Sequence, residues 1–333
     1  MSAITIPGTT IPRSRLALGV AILALTIISL MADQLSLNLS SLVKLVSNQL
    51  DDYQAIVIWQ WRLPRILTAI LIGTALGVSG AIFQSLVRNP LGSPDVTGFN
   101  VGAFTGVLLT IAFVGRSFEL TVLGAIGGGL FSALLVYLFA YRNGLSGFRL
   151  IIVGIAISAM LTAFNLWLSM TVSLDTAMTA QQWSAGSLNG TTWSKFLPSC
   201  LFIGMLLIFS SMVVTRMKLL EMGDDLAASL GVPINTTRIL LMVLGVCLTA
   251  APTAISGPII FISLAAPQIA KRIDQSADSS LVSSGLMGAF LLLGADFIAQ
   301  HTFVNSNLPV GLVTICLGGL YLLYLITKES KLS

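Results

Sequence analysis

Residues 239–270 read ILLMVLGVCLTAAPTAISGPIIFISLAAPQIA and contain no Asp, Glu, Lys or Arg. A membrane-spanning helix needs about 20 apolar residues, so this stretch is too long for a single span. Pro252 and Gly257-Pro258 interrupt it, and we divide it at the second break. The piece 258–270 would reach only about 20 Å at a rise of about 1.5 Å per residue. We therefore expect two spans here, the second of them short, tilted or half-inserted.

Eight further charge-free stretches each fit one span, and together they predict an all-α polytopic membrane protein with about ten transmembrane helices. The composition agrees, because 9% of the residues are charged whereas soluble domains carry about 25%. With 55% hydrophobic residues, the chain has too little polar surface to cover a water-soluble core of this size. The stretches are Leu16–Ala32, Ile66–Val87, Val96–Gly115, Leu120–Tyr141, Leu150–Leu174, Phe196–Thr215, Ser279–Ala295 and Val310–Thr327.

The positive charges indicate how the spans are oriented. When the N-terminus is placed inside and the spans alternate, twelve of the 17 Lys and Arg residues fall on the inner side, as the positive-inside rule requires. Both termini are then predicted to be cytoplasmic, and 1–333 forms one transmembrane domain with 1–15 and 216–238 inside. Arg13 and Arg15 resemble the start of a signal peptide, but no small-residue cleavage site follows, so we expect a retained helix.

Enzyme and metal chemistry have no motif in this sequence. The chain lacks GxxxxGK[ST], HExxH and GxSxG patterns, so it has no phosphate-binding loop of its own. Its three cysteines lie far apart in apolar runs, and its single histidine, His301, sits just outside a span. We expect no enzyme activity, no metal site and no cofactor. The net charge of +4 is scattered between apolar runs, which indicates membrane topology rather than nucleic-acid binding.

Asp296 is the one ionisable residue plainly flanked by apolar sequence on both sides. Intramembrane charge often marks function, but this carboxylate lies near a helix end, where capping or pairing is an equal interpretation. The scarcity of such residues argues against ion-coupled transport. A proton-coupled exporter of small molecules is kept as the alternative function.

The turn between the second and third spans, residues 88–95, reads RNPLGSPD. Its two prolines and its glycine stop one helix and preset the next, and Asp95 is placed to cap the third span. One interpretation is a plain tight turn. The other is a pore constriction, because irregular backbone at membrane depth usually lines a cavity.

Residues 216–233 read RMKLLEMGDDLAASLGVP and predict two short helices on the cytoplasmic face. Asp224 and Asp225 suit a helix start, and Leu226, Ala227 and Leu230 form an apolar stripe. The stripe lies either on lipid or in the groove of a partner protein. The acidic pair disfavours anionic lipid headgroups, so we favour docking on a protein.

Arg62 and Arg65 lie at the predicted outer mouth of the second span, against the positive-inside trend. One interpretation is that they snorkel to the interface beside Trp59 and Trp61. The other is that they dock an acidic partner, because guanidinium groups form strong charge-assisted contacts with carboxylates.

A faint repeat relates two glycine motifs. Gly77-Val78-Ser79-Gly80 precedes an apolar stretch that ends at Arg88, and Ile255-Ser256-Gly257-Pro258 precedes one that ends at Lys271-Arg272. Five spans separate them, so the repeat is predicted to be inverted.

In combination, six motifs resemble the permease subunits of bacterial ABC importers for iron–siderophores and vitamin B12. The likeness extends from about Ile56 to Lys328, and it implies a ten-helix fold with an inverted repeat in the inner membrane. The motifs are Trp61-Arg62-Leu63-Pro64-Arg65, Gly77-Val78-Ser79-Gly80, Asn89-Pro90-Leu91 with Ser93-Pro94-Asp95, Leu230-Gly231-Val232, Ser256-Gly257-Pro258 with Phe261-Ile262, and Leu308-Pro309-Val310-Gly311.

A closer likeness within this family is to the permeases of ferric-enterobactin importers. It implies import of ferric enterobactin or a similar catecholate siderophore through a complex with a sibling permease, a cytoplasmic ATPase dimer and a periplasmic binding protein. The segments that carry it are Arg149-Leu150-Ile151-Ile152, Trp183 with Ala185-Gly186-Ser187-Leu188-Asn189-Gly190, and 219–225.

The resemblance also implies roles for particular residues. Arg62 and Arg65 would meet acidic residues of the binding protein. The cytoplasmic gate would be lined by Asn89, Leu91, Ser146, Gly147 and Phe148. The surface that couples the chain to the ATPase would comprise Leu220, Glu221, Gly223, Asp224, Asp225, Leu226, Ala227, Leu230 and Gly231.

Two positions depart from the family pattern. Many relatives have Pro-His where this chain has Pro267-Gln268, so no role of that histidine transfers. The vitamin B12 permeases have an arginine where Gln300 stands, which leaves a third arginine contact unsupported.

Overall fold

The structure is a computed structural model, and it describes residues 13–32, 52–141, 147–274, 280–302 and 308–329. Helices account for all regular secondary structure in these ranges. They are α1 (Arg13–Met31), α2 (Asp52–Ile56), a π-helical turn (Val57–Arg62), α3 (Leu63–Val87), a 3₁₀ turn (Pro94–Thr97), α4 (Phe99–Phe113), α5 (Phe118–Ala140), α6 (Gly147–Thr171), α7 (Leu174–Ser184), α8 (Trp193–Glu221), α9 (Asp224–Ser229), α10 (Ile234–Ser256), α11 (Ile262–Asp274), α12 (Leu281–His301) and α13 (Val310–Glu329).

Each of the ten predicted spans lies on a helix of its own within the described residues. Seven helices are long and apolar enough to cross a membrane, and Phe99–Phe113 and Val310–Leu323 are shorter apolar helices. The remaining span is α11, which has 13 residues and so reaches about 20 Å. The all-α polytopic fold predicted from the sequence is confirmed, including the shortness of the span after Gly257-Pro258.

The long apolar stretch breaks at Gly257 rather than at Pro252. Pro252 is tolerated inside α10, and Gly257 follows the last helical residue with φ 73°. A side chain at Gly257 is excluded, because its Cβ would lie 2.2 Å from the Trp183 carbonyl oxygen. Glycine therefore permits both the left-handed backbone and the close approach of α7 that ends α10.

Helix α3 lies at the centre of the bundle and packs against α8, α10, α11 and α12. Close packing depends on glycines along one side of α3. A Cβ added to Gly73 would lie 2.4 Å from the Gly288 carbonyl oxygen, and one added to Gly80 would lie 1.7 Å from that of Ser263. Small residues let membrane helices approach closely where hydrophobic burial gives little driving force.

The bundle has two ends, named here after two arginines. At the Arg65 end, α3 begins, and the Gly311 amide at the start of α13 donates to the Gly186 carbonyl (3.0 Å). At the Arg88 end, α3 ends and α1 begins, with Arg15 donating to Ser280 just before α12 (3.0 Å). The start of α1 and the end of α13 therefore lie at the Arg88 end. The assignment of that end to the cytoplasm remains a prediction.

Two local expectations differ from the structure. Residues 216–221 continue α8 instead of forming a separate short helix, because no helix-breaking residue precedes Gly223. The two motifs of the predicted repeat also differ in backbone: Gly77–Gly80 lies inside α3, whereas Gly257 terminates α10. The inverted repeat therefore stays a prediction from the sequence.

Candidate functional site

At the Arg65 end, Arg65 forms a buried ion pair with Asp296. The Arg65 Nε and Nη2 atoms donate to the Asp296 carboxylate at 3.0 and 2.8 Å, and the Asp296 side chain is 1% exposed. Asn189 accepts from Arg65 Nη1 at 2.7 Å, and Gln300 donates to Asp296 at 2.7 Å. The sequence left Asp296 with either a functional role or a structural role in capping or pairing. The structure shows the pairing. Gln300 thus supports this ion pair.

Arg62 is placed differently. Its Nη1 donates to the Leu30 carbonyl oxygen at the end of α1 (2.6 Å), and the residue is partly exposed beside the exposed Trp59 and Trp61. Arg65 keeps 18% of its side chain exposed, but its guanidinium already holds Asp296. Of the two predicted docking arginines, Arg62 is therefore the one whose change leaves this ion pair intact.

The segment that follows α3, from Arg88 to Leu91, carries the predicted gate residues Asn89 and Leu91 and is called here the gate turn. Arg88 has φ 54° and ψ 37°, and the Asn89 amide donates back to the Gln84 carbonyl (3.2 Å), as in a Schellman cap. The residue before Pro90 is disfavoured in helical conformation, which explains why α3 stops here. Asn89 Oδ1 then accepts from the Leu91 amide (2.9 Å), and this bond closes the turn.

Three helices hold the gate turn. Gln268 of α11 donates to the Pro90 carbonyl (2.9 Å) and to Gln84 Oε1 (3.0 Å). At the start of α6, a Cβ on Gly147 would lie 2.7 Å from Val87 Cα, in the last turn of α3. The structure therefore brings Gly147 next to the turn that carries Asn89 and Leu91.

The apolar gate residues are exposed. Leu91 and Phe148 both expose most of their side chains at the Arg88 end. The other predicted gate residue, Ser146, lies outside the described residues. Whether these side chains form a gate is not decided by their positions and stays a prediction.

Asp95 does not cap α4, contrary to the expectation from the sequence. Gly98 is the residue before α4 and makes no side-chain cap bond. The Asp95 carboxylate instead accepts from Asn100 (2.5 Å) and from the Ser263 hydroxyl (2.9 Å). Asp95 lies within the 3₁₀ turn Pro94–Thr97, before the first α4 amides, and its bond to Ser263 ties this turn to the start of α11.

The predicted coupling surface is the short helix α9 and its flanks. Gly223 (φ 124°) precedes the helix and Gly231 (φ 79°) follows it. Ala227 is buried against the bundle, and Leu220 is buried at the end of α8. Leu226 and Leu230 are exposed, as is Met222 in the bend before α9, and these three residues are called here the exposed stripe. The stripe predicted from the sequence included Ala227 instead of Met222, and this was wrong because Ala227 is buried.

The acidic residues of this surface have different surroundings. Asp224 pairs with both Arg88 and Arg238, and Asp225 is exposed. A carboxylate oxygen of Glu221 is buried without a hydrogen-bond partner. Glu221 lines a recess of about 420 Å³ together with Arg88, Gln268 and Lys271. The gate turn and the coupling surface therefore adjoin one recess.

Sequence reasoning missed the parts played by Arg88, Arg238 and Gln268. Each lies next to a predicted site residue along the chain or in space. The partners of Arg88 and Gln268 are more than a hundred residues away along the chain, and that of Arg238 is 14 residues away, so none of these contacts leaves a periodic signal in the sequence. The sequence predicts no metal site. Among the described residues, no three His, Cys, Asp or Glu side chains form a cluster that could bind a metal ion.

A helical bundle of this kind, with small-residue packing and irregular turns at its ends, is typical of a multi-pass membrane protein. Comparison with known proteins places it more narrowly. A model of the FecCD transport family matches residues 21–328, and the chain belongs to that family. The family inferred from the motifs is confirmed, and the chain is a transport subunit rather than an enzyme.

Individual relatives agree with this assignment. The chain is 55% identical to the ferric enterobactin transport system permease protein FepG of Escherichia coli over 275 residues, 83% of each chain. It is 34% identical to the iron(3+)-hydroxamate import system permease protein FhuG of Bacillus subtilis, over 83% of this chain and 84% of that one. A solved structure described as an inward-facing conformation of a metal-chelate type ABC transporter matches with TM-score 0.85 and 28% identity, covering 96% of this chain and all of that one.

Proposed function

We propose that the chain is one of two permease subunits of an ABC importer that carries a ferric siderophore, ferric enterobactin or a similar catecholate, into the cytoplasm. The observation that carries the proposal is the 55% identity to a ferric enterobactin permease over 83% of both chains. The chain would lie in the bacterial inner membrane, surrounded by the lipid bilayer, with its Arg88 end and both termini in the cytoplasm. The distribution of Lys and Arg supports this orientation.

The energy for transport comes from a separate cytoplasmic ATPase dimer. The exposed apolar stripe of Met222, Leu226 and Leu230 supports a docking role for α9, because apolar side chains gathered on a water-facing surface commonly mark an interface. ATP closes the ATPase subunits, and their motion pushes α9. The helix bundle then alternates between inward-facing and outward-facing states.

Three further partners belong to the proposal. A sibling permease completes the conduit, as the likeness to an enterobactin system favours a heterodimer. A periplasmic binding protein delivers the siderophore, with Arg62 and Arg65 meeting its acidic residues. The conduit itself holds the ferric siderophore weakly, because tight binding inside it would slow release.

Uptake of labelled ferric siderophores by a strain that lacks the chain tests this function. We expect the deletion to abolish uptake of ferric enterobactin, with hydroxamate and citrate complexes as comparison cargoes. Restoring the chain should restore catecholate uptake only where the ATPase is active. Uptake that survives loss of the ATPase but collapses with the proton gradient would contradict the proposal and favour proton-coupled transport.

A further inference from the structure

We propose that Arg88 is the positioning residue that links the ATPase-docking helix α9 to the gate turn, so that displacement of α9 moves the turn. This inference rests on the proposed function, because the displacement comes from an ATPase seated on α9. It goes further by naming the contact through which the motion passes.

The Arg88 side chain reaches both sides of the bend before α9. Its Nη2 donates to the Leu220 carbonyl oxygen in the last turn of α8 (2.6 Å) and to the carboxylate of Asp224, the first residue of α9. Gly223 lies between these two partners with φ 124°. One guanidinium therefore bridges the end of α8 and the start of α9 at the point where the backbone can bend.

The backbone of Arg88 belongs to the gate turn. Its φ of 54° is a left-handed conformation that favours glycine. The residue at this position nevertheless carries the guanidinium that contacts α9. Hydrogen bonds from the Leu91 amide to Asn89 Oδ1 and from Gln268 to the Pro90 carbonyl hold the turn together. Because the Leu91 amide is bonded to Asn89, the residue next to Arg88, a displacement of Arg88 is passed on to Leu91.

Arg238 provides a comparison within the same cluster. Its Nη2 donates to both Asp224 carboxylate oxygens at 2.9 Å, but it lies in α10 and not in the gate turn. Both arginines therefore bind the Asp224 carboxylate, but Arg88 connects it to the gate turn and Arg238 connects it to α10. Loss of Arg238 frees α9 from α10, whereas loss of Arg88 frees α9 from the turn.

The Arg88–Asp224 pair contributes to transmission rather than to folding. Each side chain is 39% exposed, and ion pairs so open to water add little to stability. Their removal should leave the chain folded and able to bind the ATPase. This separation makes the contact testable in the assembled transporter.

The experiment compares the wild-type complex with R88Q, R88K, D224N, R238Q and the double variant R88Q/D224N, each reconstituted with sibling permease, ATPase and binding protein. Ferric enterobactin moved per ATP hydrolysed is measured, together with ATPase co-purification. We expect R88Q to keep the ATPase bound and hydrolysing, but to move at least tenfold less cargo per ATP. The losses in R88Q and D224N should be less than additive in the double variant, because both changes remove the Arg88–Asp224 contact.

The remaining variants separate linkage from simple packing. R88K should recover part of the loss, because an ammonium keeps the charge but not the forked geometry. R238Q should lose less coupling than R88Q. Full coupling in R88Q, additive losses in the double variant, equal losses in R238Q, or loss of the ATPase from R88Q would each overturn the inference. A wild-type complex that transports without ATP would instead overturn the proposed function.

Discussion

The ion pair between Arg65 and Asp296 is a contact that stabilises the fold, although Arg65 is also a predicted docking residue for a partner protein. Asp296 is 1% exposed and Arg65 18%, so removing the arginine leaves the more deeply buried charge unpaired. We expect Arg65→Gln to destabilise the protein by about 3 kcal/mol and Asp296→Asn to cost less. Thermal unfolding in detergent measures both, and the double variant should regain part of the loss. An unchanged Tm in Arg65→Gln would contradict this ordering.

Arg62 offers the cleaner test of docking to the binding protein, since its change leaves the Arg65 pair in place. We expect Arg62→Glu to weaken binding-protein docking several-fold and to make the remaining affinity less sensitive to salt, because a long-range attraction is lost. Titration of the binding protein onto the reconstituted complex at low and high salt measures this. Lys195→Glu, a charge reversal elsewhere at the Arg65 end, is the comparison. Equal docking by Arg62→Glu and wild type would refute the role.

Asp95 illustrates why residue contacts were harder to predict than residue neighbourhoods. From its position two residues after Gly-Ser in a proline-rich turn, a helix cap was the natural expectation. Asp95 instead accepts from Asn100, five positions along the chain, and from Ser263, which is 168 positions away. The spacing of residues along the sequence predicts local hydrogen bonds well, but it does not predict which distant helix packs beside a turn.

Among the helices, the crossing of α3 and α11 is set by one glycine. A Cβ at Gly80 would lie 1.7 Å from the Ser263 carbonyl oxygen. A backbone atom, unlike the end of a flexible side chain, cannot move away unless its helix shifts. We expect Gly80→Ala to cost at least about 1–3 kcal/mol through overpacking and to lower the yield of folded protein. Gly204→Ala is the matched control, because nothing lies within 4 Å of its added Cβ. Similar yields and Tm values for the two variants would contradict the packing argument.

Helix α9 should lose its partner when its stripe becomes charged. We expect Leu226→Glu or Leu230→Glu to reduce ATPase docking and to uncouple ATP hydrolysis from uptake, because a buried interface charge without a partner is costly. Ser229→Glu places the same charge on an exposed polar residue of the same helix and should be tolerated. Measurement of uptake per ATP decides the matter, and normal coupling in Leu226→Glu would count against the docking surface.

Helix positions followed well from the sequence, whereas helix ends did not. Apolar runs and charge gaps located all ten spans, because a bilayer imposes a length on every helix. The extension of α8 to Glu221 was missed, since the hydrophobic pattern stops at Thr215 while helix propensity continues to Gly223. The division of the long apolar stretch at Gly257-Pro258 was correct, and Pro252 lies inside α10 because a membrane helix accommodates proline when its neighbours satisfy the backbone.

At the level of the whole molecule, the two ends of the bundle have different character. The Arg65 end presents exposed tryptophans beside a partly exposed arginine, and the Arg88 end gathers the gate turn, the ion-paired Asp224 and the exposed stripe of α9. Such a division suits a conduit that receives cargo at one end and mechanical work at the other. In the proposed importer, the work comes from a separate ATPase subunit.

Reconstitution with controlled sidedness tests this account most directly. The chain, its sibling permease and the ATPase are placed in liposomes, the binding protein loaded with ferric enterobactin is added at the Arg65 face, and ATP is supplied only at the Arg88 face. We predict cargo accumulation that requires ATP, the ATPase and the binding protein together. ATP hydrolysis by the purified chain alone, or equal accumulation without ATP, would contradict it.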